Sequence, residues 1–157
     1  MLKSLEDDAL FVCRNSDARV NYGERDDLFG AVQSLLLKAH LLRDRLYAEE
    51  LDKWSELGAV DVRYAFSQEP EHGFAKGCRY IGERILKDMD DVRELWRGEA
   101  RVYVCGSRRL QGGVDDAVKV MFEKIADAEG WSEGKREERG RVFKEALAKR
   151  AVSDIFD

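Results

Sequence analysis

Short apolar runs alternate along this chain with longer segments whose apolar residues recur at helical spacing. The runs are rich in β-branched and aromatic residues and predict strands over 9–13, 60–66, 101–105 and 152–156. Helices are predicted over 26–57 with a break near Arg43, from Arg79 towards Trp96, between Gly113 and Gly130, and from Ser132 to about Lys149. Alternation of this kind predicts parallel βαβ units, and therefore an α/β fold with an open parallel sheet covered by helices on both faces.

Composition narrows the class of protein. The 157 residues are enough for a sizeable core, so a single domain over 1–157 is expected. A net charge of -5 disfavours a general nucleic-acid binder, which needs a clustered basic surface. The three cysteines lie outside any metal-ligand spacing, and His40 and His72 have no spaced partner, so neither a metal site nor a catalytic triad is predicted. No signal peptide or membrane segment is recognisable, and a cytoplasmic protein is expected.

The predicted ligand site follows from the sheet, because open α/β sheets bind ligands where the carboxyl ends of their strands meet. These ends are Cys13–Arg14, Phe66–Ser67, Cys105–Gly106 and the chain terminus. Gly106 permits a tight turn and a close approach of the backbone to a nucleotide. Neither Gly-x-Gly-x-x-Gly nor a Walker A sequence is present, so the usual glycine signatures of nucleotide sites are absent.

Side chains near these ends have both a functional and a structural interpretation. Cys105 either borders a ligand or fills the core, where free cysteines are common. Asp154 either orients a redox group or faces solvent from an edge strand. The loop after the second predicted strand offers a hydroxyl, two cations and an aromatic ring: Ser67, Lys76, Arg79 and Tyr80. These groups suit a phosphate and an adenine, although solvated loop charges and helix packing would explain them equally.

Six stretches together resemble the NADPH-binding module of diflavin reductases, and most closely that of fungal fatty-acid hydroxylases fused to their reductase. They read Leu-Phe-Val-Cys-Arg-Asn-Ser-Asp at 10–17, Arg-Leu-Tyr-Ala-Glu-Glu-Leu at 45–51, Asp-Val-Arg-Tyr-Ala-Phe-Ser at 61–67, Lys-Gly-Cys-Arg-Tyr at 76–80, Val-Tyr-Val-Cys-Gly at 102–106 and Asp-Ile-Phe at 154–156. Order and spacing agree from about residue 45 to the end. Residues 18–43 are interpreted as an insertion.

The resemblance implies a fold like the nucleotide-binding domain of ferredoxin-NADP reductase, here lacking its first strand. It also implies that hydride passes from NADPH to FAD. By this analogy Cys105 and Asp154 are the catalytic residues: Cys105 borders the nicotinamide, and Asp154 supports it during transfer. Phe156 stacks on the flavin until the nicotinamide displaces it.

The same analogy assigns the remaining cofactor contacts. Ser67 binds the 2'-phosphate, with Lys76 or Arg79 as cationic help, and Tyr80 lies against the adenosine. The assigned site is completed by Arg14, Gly106 and Ser107, which follow the ends of two predicted strands. Gln68 stands where these reductases usually carry an arginine that grips the 2'-phosphate.

The resemblance also implies what lies outside the chain. FAD- and FMN-binding domains are absent from it, so a flavin-binding domain is the expected partner, either in the complete protein or in trans. A haem protein is the expected electron acceptor. The alternative is a catalytically inert nucleotide-binding fragment, or an interaction remnant of such a reductase.

Overall fold

The computed structural model describes residues 9–13, 32–45 and 47–155. The strands in this part of the chain are β1 (Ala9–Cys13), β2 (Val32–Ala39), β3 (Asp61–Phe66), β4 (Arg101–Gly106) and β5 (Ala151–Ile155). The α-helices are α1 (Ala48–Glu56), α2 (Ile81–Lys87), α3 (Met89–Arg97), α4 (Arg108–Ala128) and α5 (Glu133–Arg150). The α/β class predicted from the sequence is confirmed.

The five strands form one sheet in the order β3-β2-β1-β4-β5. β2 is parallel to β3 and β4 is parallel to β5, whereas β1 is antiparallel to both β2 and β4. The carboxyl ends of β2, β3, β4 and β5 therefore lie at one edge of the sheet, and only β1 runs the other way. The prediction of a wholly parallel sheet is wrong, because the sheet is mixed.

The sheet contains a strand that the sequence did not predict. Residues 32–39 form β2, which replaces part of the helix predicted over 26–57. Three consecutive leucines in this run fit either a helix or a strand that is buried on both faces. Leu36 is 1% exposed and packs with residues of α2 and α4, while Leu37 packs on the opposite face against the aromatic residues of β3. Burial on both faces favours the strand. The segment 18–43 thus supplies an internal strand, and its interpretation as an insertion relative to similar proteins stays a prediction.

The main core lies between the sheet and the helix pair α2 and α4. Its buried members are apolar residues of the strands and of both helices: Leu36, Ile81, Ile85, Ala100, Val104, Leu110, Val114 and Ala117. A smaller cluster on the opposite face consists of Tyr64, Phe66 and Ala75 with half-buried neighbours from β2 and β3. Fully burying one such large apolar side chain stabilises the fold by about 1.5 to 3 kcal/mol, so these two clusters fix the helices against the sheet.

Two predicted helix boundaries differ from the structure. The helix predicted from Arg79 towards Trp96 is divided into α2 and α3 at Asp88, whose carboxylate lies 2.5 Å from Arg84 Nε and 3.1 Å from Arg63 Nη1. α4 begins at Arg108, earlier in the chain than Gly113, after which the sequence predicted the helix to start. The earlier start has a local cause: the Ser107 hydroxyl oxygen accepts a hydrogen bond from the Leu110 amide at 3.2 Å and caps the first turn.

Candidate functional site

Cys105 and Asp154 are register partners in the parallel pair of β4 and β5. Directly paired residues of neighbouring strands point to the same face of a sheet, so the thiol and the carboxylate share one face near the carboxyl edge. Val104 and Ser153, one position earlier, point to the opposite face, where Ser153 Oγ donates to Gln111 Oε1 of α4 at 2.7 Å. Cys105 is half-buried and Asp154 is exposed. The structure therefore brings the two predicted catalytic residues together on the side of the sheet that faces away from α4.

The turn from β4 into α4 places a helix N-terminus at this edge. Gly106 is buried and has a φ of 148°, a conformation that favours glycine. Ser107 follows as the N-cap, and Arg108 and Arg109 form the first turn of a helix of 21 residues. Backbone amides and the helix dipole make such an end favourable for an anion, and the two arginines add positive charge.

Tyr80 and Arg109 form an aromatic–cation pair beside this turn. The Arg109 guanidinium carbon lies 5.2 Å from the centroid of the Tyr80 ring, and Arg109 Nη2 donates to the Tyr80 hydroxyl at 3.4 Å. The tyrosine is held at the start of α2, because the Glu83 carboxylate accepts hydrogen bonds from the backbone amides of Arg79 and Tyr80 at 2.6 and 3.2 Å. Tyr80 as a whole remains 40% exposed, so part of it is accessible from solvent.

This pair borders a cleft between α2 and α4 with a volume of about 550 Å³. Its lining includes Lys38 of β2 and Glu83 of α2, together with apolar side chains and the bare backbone of Gly112 and Gly113. No atom lies within 4 Å of a Cβ built on either glycine, so both positions open into free space. The cleft thus combines an aromatic ring, cations and an accessible backbone, which are groups that a small-molecule site can use.

The β3–α2 loop carries the other predicted cofactor residues back towards the end of β3. The Phe66 amide donates to the Cys78 carbonyl at 3.0 Å, which keeps residues 78–80 next to Ser67. Lys76 has a φ of 51°, and its carbonyl accepts a hydrogen bond from Lys87 Nζ at 2.5 Å. The side chains of Lys76 and Arg79 are both exposed. Ser67, Lys76, Arg79 and Tyr80 therefore belong to one corner of the molecule, whereas Cys105 and Asp154 lie across the sheet from it.

An ionic network holds this loop in place. Arg84 is 3% exposed and its Nη1 donates to the carbonyls of Phe74 and Tyr64 at 2.7 and 3.1 Å. Burial by itself would raise the pKa of Asp88, but the hydrogen bonds and positive charges of Arg84 and Arg63 outweigh that effect and hold the pKa below its ordinary value. Asp88 is therefore an ionised partner for both arginines, and the network positions the loop rather than forming a site of its own.

His40 is a neighbour of the site that the sequence did not indicate. Its Nδ1 forms a hydrogen bond of 2.9 Å with Ser67 Oγ across 27 residues of sequence. The sequence offered no spaced partner for His40, and it acquires Ser67 as a neighbour because strand pairing brings the ends of β2 and β3 together. Arg109 was likewise missed, although two consecutive arginines directly after a Gly-Ser turn are a readable sign of an anion site at a helix N-terminus.

Two predicted site residues, Arg14 and Phe156, lie outside the described residues, and their roles stay predictions. In the part of the chain that the structure describes, no group of histidine, cysteine and acidic side chains could hold a metal ion. Across the same residues, none of the helices combines the length and apolar character needed to cross a bilayer.

An α/β fold with this arrangement at its carboxyl edge is compatible with a nucleotide-binding domain of a reductase. No family model matches the chain. It is 37% identical over 116 residues, 73% of its length, to a bifunctional cytochrome P450/NADPH–P450 reductase of Fusarium oxysporum. It is 41% identical over 79 residues to a self-sufficient cytochrome P450 monooxygenase of Penicillium expansum, and 37% identical over 81 residues to a bifunctional cytochrome P450/NADPH–P450 reductase of Alternaria alternata.

The matched region is a small part of each relative. The chain covers 10% of the Fusarium protein, 8% of the Penicillium protein and 7% of the Alternaria protein. It therefore spans about a tenth of the length of the curated relatives that it matches. Its homologues are fungal fusions of a cytochrome P450 with its reductase, which supports a reductase-related region.

Proposed function

We propose that this chain is the NADPH-binding part of a flavoprotein reductase, with a fold like that of the ferredoxin-NADP reductase nucleotide domain without its first strand. NADPH supplies a hydride, which passes to an FAD held by a separate flavin-binding domain. A haem protein is the final acceptor, in keeping with the names of the relatives. The observation that carries this proposal is the pairing of Cys105 with Asp154 at the carboxyl edge of β4 and β5.

The described residues fit the adenosine end of the nucleotide. Tyr80 presents an exposed aromatic face, on which an adenine can stack. Arg109 and Lys38 bring positive charge to the same cleft. Gly112 and Gly113 have no side chains there, so a ligand can approach the backbone of α4. The turn from Gly106 and Ser107 into α4 offers backbone amides to the pyrophosphate.

The nicotinamide end rests on Cys105 and Asp154. In the proposed arrangement the half-buried Cys105 thiol lies beside the nicotinamide ring and excludes water on that side. Asp154 places a negative charge next to the ring, where positive charge develops as hydride leaves. Neither residue touches the adenosine cleft, so they should affect hydride transfer without affecting adenosine binding.

A second candidate is a nucleotide-binding fragment without catalytic activity. The position of Arg109 favours it, because its guanidinium lies over the Tyr80 ring that the adenine would otherwise use. The hydroxyl of Ser67 is also engaged, by His40. Both contacts must rearrange before a dinucleotide occupies the full site, and a chain that binds only part of the nucleotide would satisfy the same geometry.

Calorimetric titration with NADPH tests the site. Wild type should bind, and Tyr80→Ala should weaken binding about tenfold, because stacking on an aromatic ring contributes on the order of 1 to 3 kcal/mol. Tyr47→Ala is the matched control: Tyr47 is 73% exposed and stands at the start of α1, so its removal should leave the affinity unchanged. Equal loss in both variants, or no binding by wild type at millimolar NADPH, would refute the proposed site.

An absorption spectrum of the purified chain tests whether the flavin is held by a separate domain, as proposed. Since FAD is held by a separate domain in this proposal, the chain should be colourless and should not reduce ferricyanide with NADPH. Adding the flavin-binding domain of a related reductase should restore reduction if the chain is catalytically competent. Activity that stays absent while NADPH binds would favour the inert fragment, and stoichiometric flavin in the isolated chain would contradict both candidates.

A further inference from the structure

The register of β5, meaning which of its residues lies opposite which residue of β4, is weakly specified by apolar burial. Of the five residues of β5, Ala151 and Ile155 are half-buried and the three between them are exposed. In the part of the chain that the structure describes, β5 pairs with β4 alone. A slip of two residues would keep every β5 side chain on its own face of the sheet, so the alternation of faces does not oppose it. Contacts beyond this alternation must therefore fix the pairing of Asp154 with Cys105.

Arg150, the last residue of α5, makes such contacts directly before β5 begins. Its Nε and Nη2 both donate to the Ala100 carbonyl, at 2.9 and 2.8 Å, and Nη2 also donates to the Trp96 carbonyl at 2.7 Å. The guanidinium carbon lies 3.7 Å from the centroid of the Trp96 ring. Because Ala100 is the residue directly before β4, these bonds tie the start of β5 to the start of its partner strand.

A slip of β5 along β4 would break these bonds. Two residues of a strand span roughly 6 to 7 Å, a displacement that no hydrogen bond can follow. The Trp96 carbonyl also lies in the last turn of α3, where a positive charge is favourable, so a displaced guanidinium would lose that site as well. At the far end of β5, Ile155 packs against the main core and Ser153 donates to Gln111. Arg150 therefore provides the contacts that resist a slip at the start of the strand.

We infer that Arg150 is the positioning residue for Asp154: by fixing the register of β5, it keeps the carboxylate opposite the Cys105 thiol. This inference rests on the proposed function, in which Asp154 acts next to the nicotinamide. Four residues of strand, roughly 13 Å, separate Arg150 from Asp154, so the arginine acts on the reaction through the strand and not by contact with the nucleotide ring. Its planar guanidinium donates twice to one carbonyl and stacks on an indole, which the ammonium of a lysine cannot do.

Disulfide formation with the native Cys105 measures the register. Register partners on neighbouring strands lie about 4.8 Å apart, within the span of a disulfide, whereas residue 152 is roughly 7 to 8 Å from residue 105. In a glutathione redox buffer, Asp154→Cys should therefore link to Cys105 about tenfold more readily than Val152→Cys does. Val152 is 56% exposed, so its replacement removes little packing. Mass spectrometry of the linked peptides identifies the cysteines that are joined.

Adding Arg150→Ala should bring this preference close to one, as expected when hydrogen bonds from a charged group are lost, a change of about tenfold. Arg150→Lys is the second variant: it keeps the charge and the aliphatic stem, and it should also lose most of the preference. Arg141→Ala is the matched control in α5, because Arg141 pairs with Glu145 at 3.2 Å between two exposed side chains. It should keep the preference, and circular dichroism checks that all variants fold.

Flavin reduction with a flavin-binding domain in trans tests whether Arg150 acts through Asp154. Arg150→Ala should lower the rate about tenfold, and the calorimetric affinity for NADPH should stay within about twofold of wild type. In the Asp154→Asn protein, a further Arg150→Ala should change the rate by less than about twofold, because residues that act through one another are not additive. General damage to the structure would instead lower the rate in both backgrounds.

The outcomes separate this inference from the proposed function. A cross-linking preference that survives both Arg150→Ala and Arg150→Lys, or additive effects of Arg150→Ala and Asp154→Asn on the rate, overturns the inference and leaves the proposed function in place. Absence of flavin reduction by wild type overturns the proposed function. The cross-linking result then still decides whether Arg150 fixes the register of β5.

Discussion

Gly82 sets the distance between the two helices that form the cleft. A Cβ built on it would lie 2.7 Å from the Gly113 carbonyl oxygen and 3.6 Å from Ala117 Cβ. The first of these atoms belongs to the backbone, so α4 as a whole would have to move to relieve the contact. The close contact between Gly82 and Gly113 is therefore a property of this chain that shapes its cleft.

Gly82→Ala should lower the free energy of unfolding by about 1 to 3 kcal/mol, the usual cost of overpacking. Gly112→Ala is the control, because it lies in α4 with no atom within 4 Å of a built Cβ. It should raise the stability by roughly 0.5 to 1 kcal/mol through better helix propensity. Urea denaturation of the three proteins measures both changes. Equal stabilisation by the two alanines would mean that α2 and α4 lie farther apart than described.

Asp88 should make stability depend on pH. Because its pKa is lower in the folded chain than in the unfolded one, its contribution is present above the unfolded pKa and is lost as pH falls through the folded pKa. Asp88→Asn should therefore cost about 2 kcal/mol of unfolding free energy at pH 7, and the difference from wild type should shrink below about pH 4.

Asp91→Asn is the control for this experiment. Asp91 also contacts Arg63, at 2.8 Å, but its side chain is 59% exposed. Solvent screens an ion pair of this kind, so the substitution should cost less than about 1 kcal/mol. Urea denaturation at pH 7 and at pH 3 gives both values. A cost for Asp88→Asn that is the same at both pH values would show that the carboxylate does not contribute through its charge.

At the scale of elements, α4 and α5 differ in how they begin. Both follow a serine, but only Ser107 accepts a hydrogen bond from the first turn, at 3.2 Å from the Leu110 amide. Ser132 stands in the same position before α5 without a side-chain cap bond. α4 also carries the backbone amides and the arginine that border the proposed site. The cap therefore fixes the end of α4 that borders the proposed site.

Ser107→Ala should destabilise the protein by about 1 kcal/mol, and Ser132→Ala by no more than about 0.5 kcal/mol. Thermal unfolding followed by circular dichroism compares the two directly. Ser107→Asn should keep most of the stability, because asparagine is also a good N-cap residue. A larger loss from Ser132→Ala than from Ser107→Ala would contradict the capping described for α4.

At the scale of the whole molecule, the mixed sheet separates two groups of residues. The cleft between α2 and α4 lies on one face of the sheet, whereas Cys105 and Asp154 lie on the opposite face of β4 and β5. A dinucleotide that uses both must pass over the carboxyl edge, where α4 begins. Under the proposed function, this separation predicts that substitutions can change nucleotide binding and hydride transfer independently.

Under the proposed function, Asp154→Asn removes a charge next to the nicotinamide ring, so it should lower the rate of flavin reduction about tenfold or more when a flavin-binding domain is supplied in trans. Its affinity for NADPH should remain close to that of wild type. Asp127→Asn is a matched control, because that carboxylate is 71% exposed at the far end of α4 and pairs with Arg136. Stopped-flow absorbance measures the rate. An unchanged rate for Asp154→Asn would remove the proposed role.

Several elements were determined by the sequence alone. Residues 61–66, 101–105 and 152–155 are strands in the structure as predicted, and α5 runs from Glu133 to Arg150 as its pattern indicated. In each case a short β-rich run or a long helical pattern is bounded by glycine, serine or a change of period. These signals act over a few residues, so they are readable without the rest of the fold.

Tertiary structure decided the rest. Residues 32–39 form a strand because they are buried on both faces. The helix expected from Arg79 to Trp96 is divided because Arg63 of β3 and Arg84 of α2 both bind Asp88. The contact between His40 and Ser67 joins residues 27 positions apart, and only the parallel pairing of β2 with β3 brings them together. The local sequence shows which residues are apolar and with what period they recur. Whether a strand is buried on its second face, and which distant strand ends lie side by side, depends on parts of the chain that are remote in sequence.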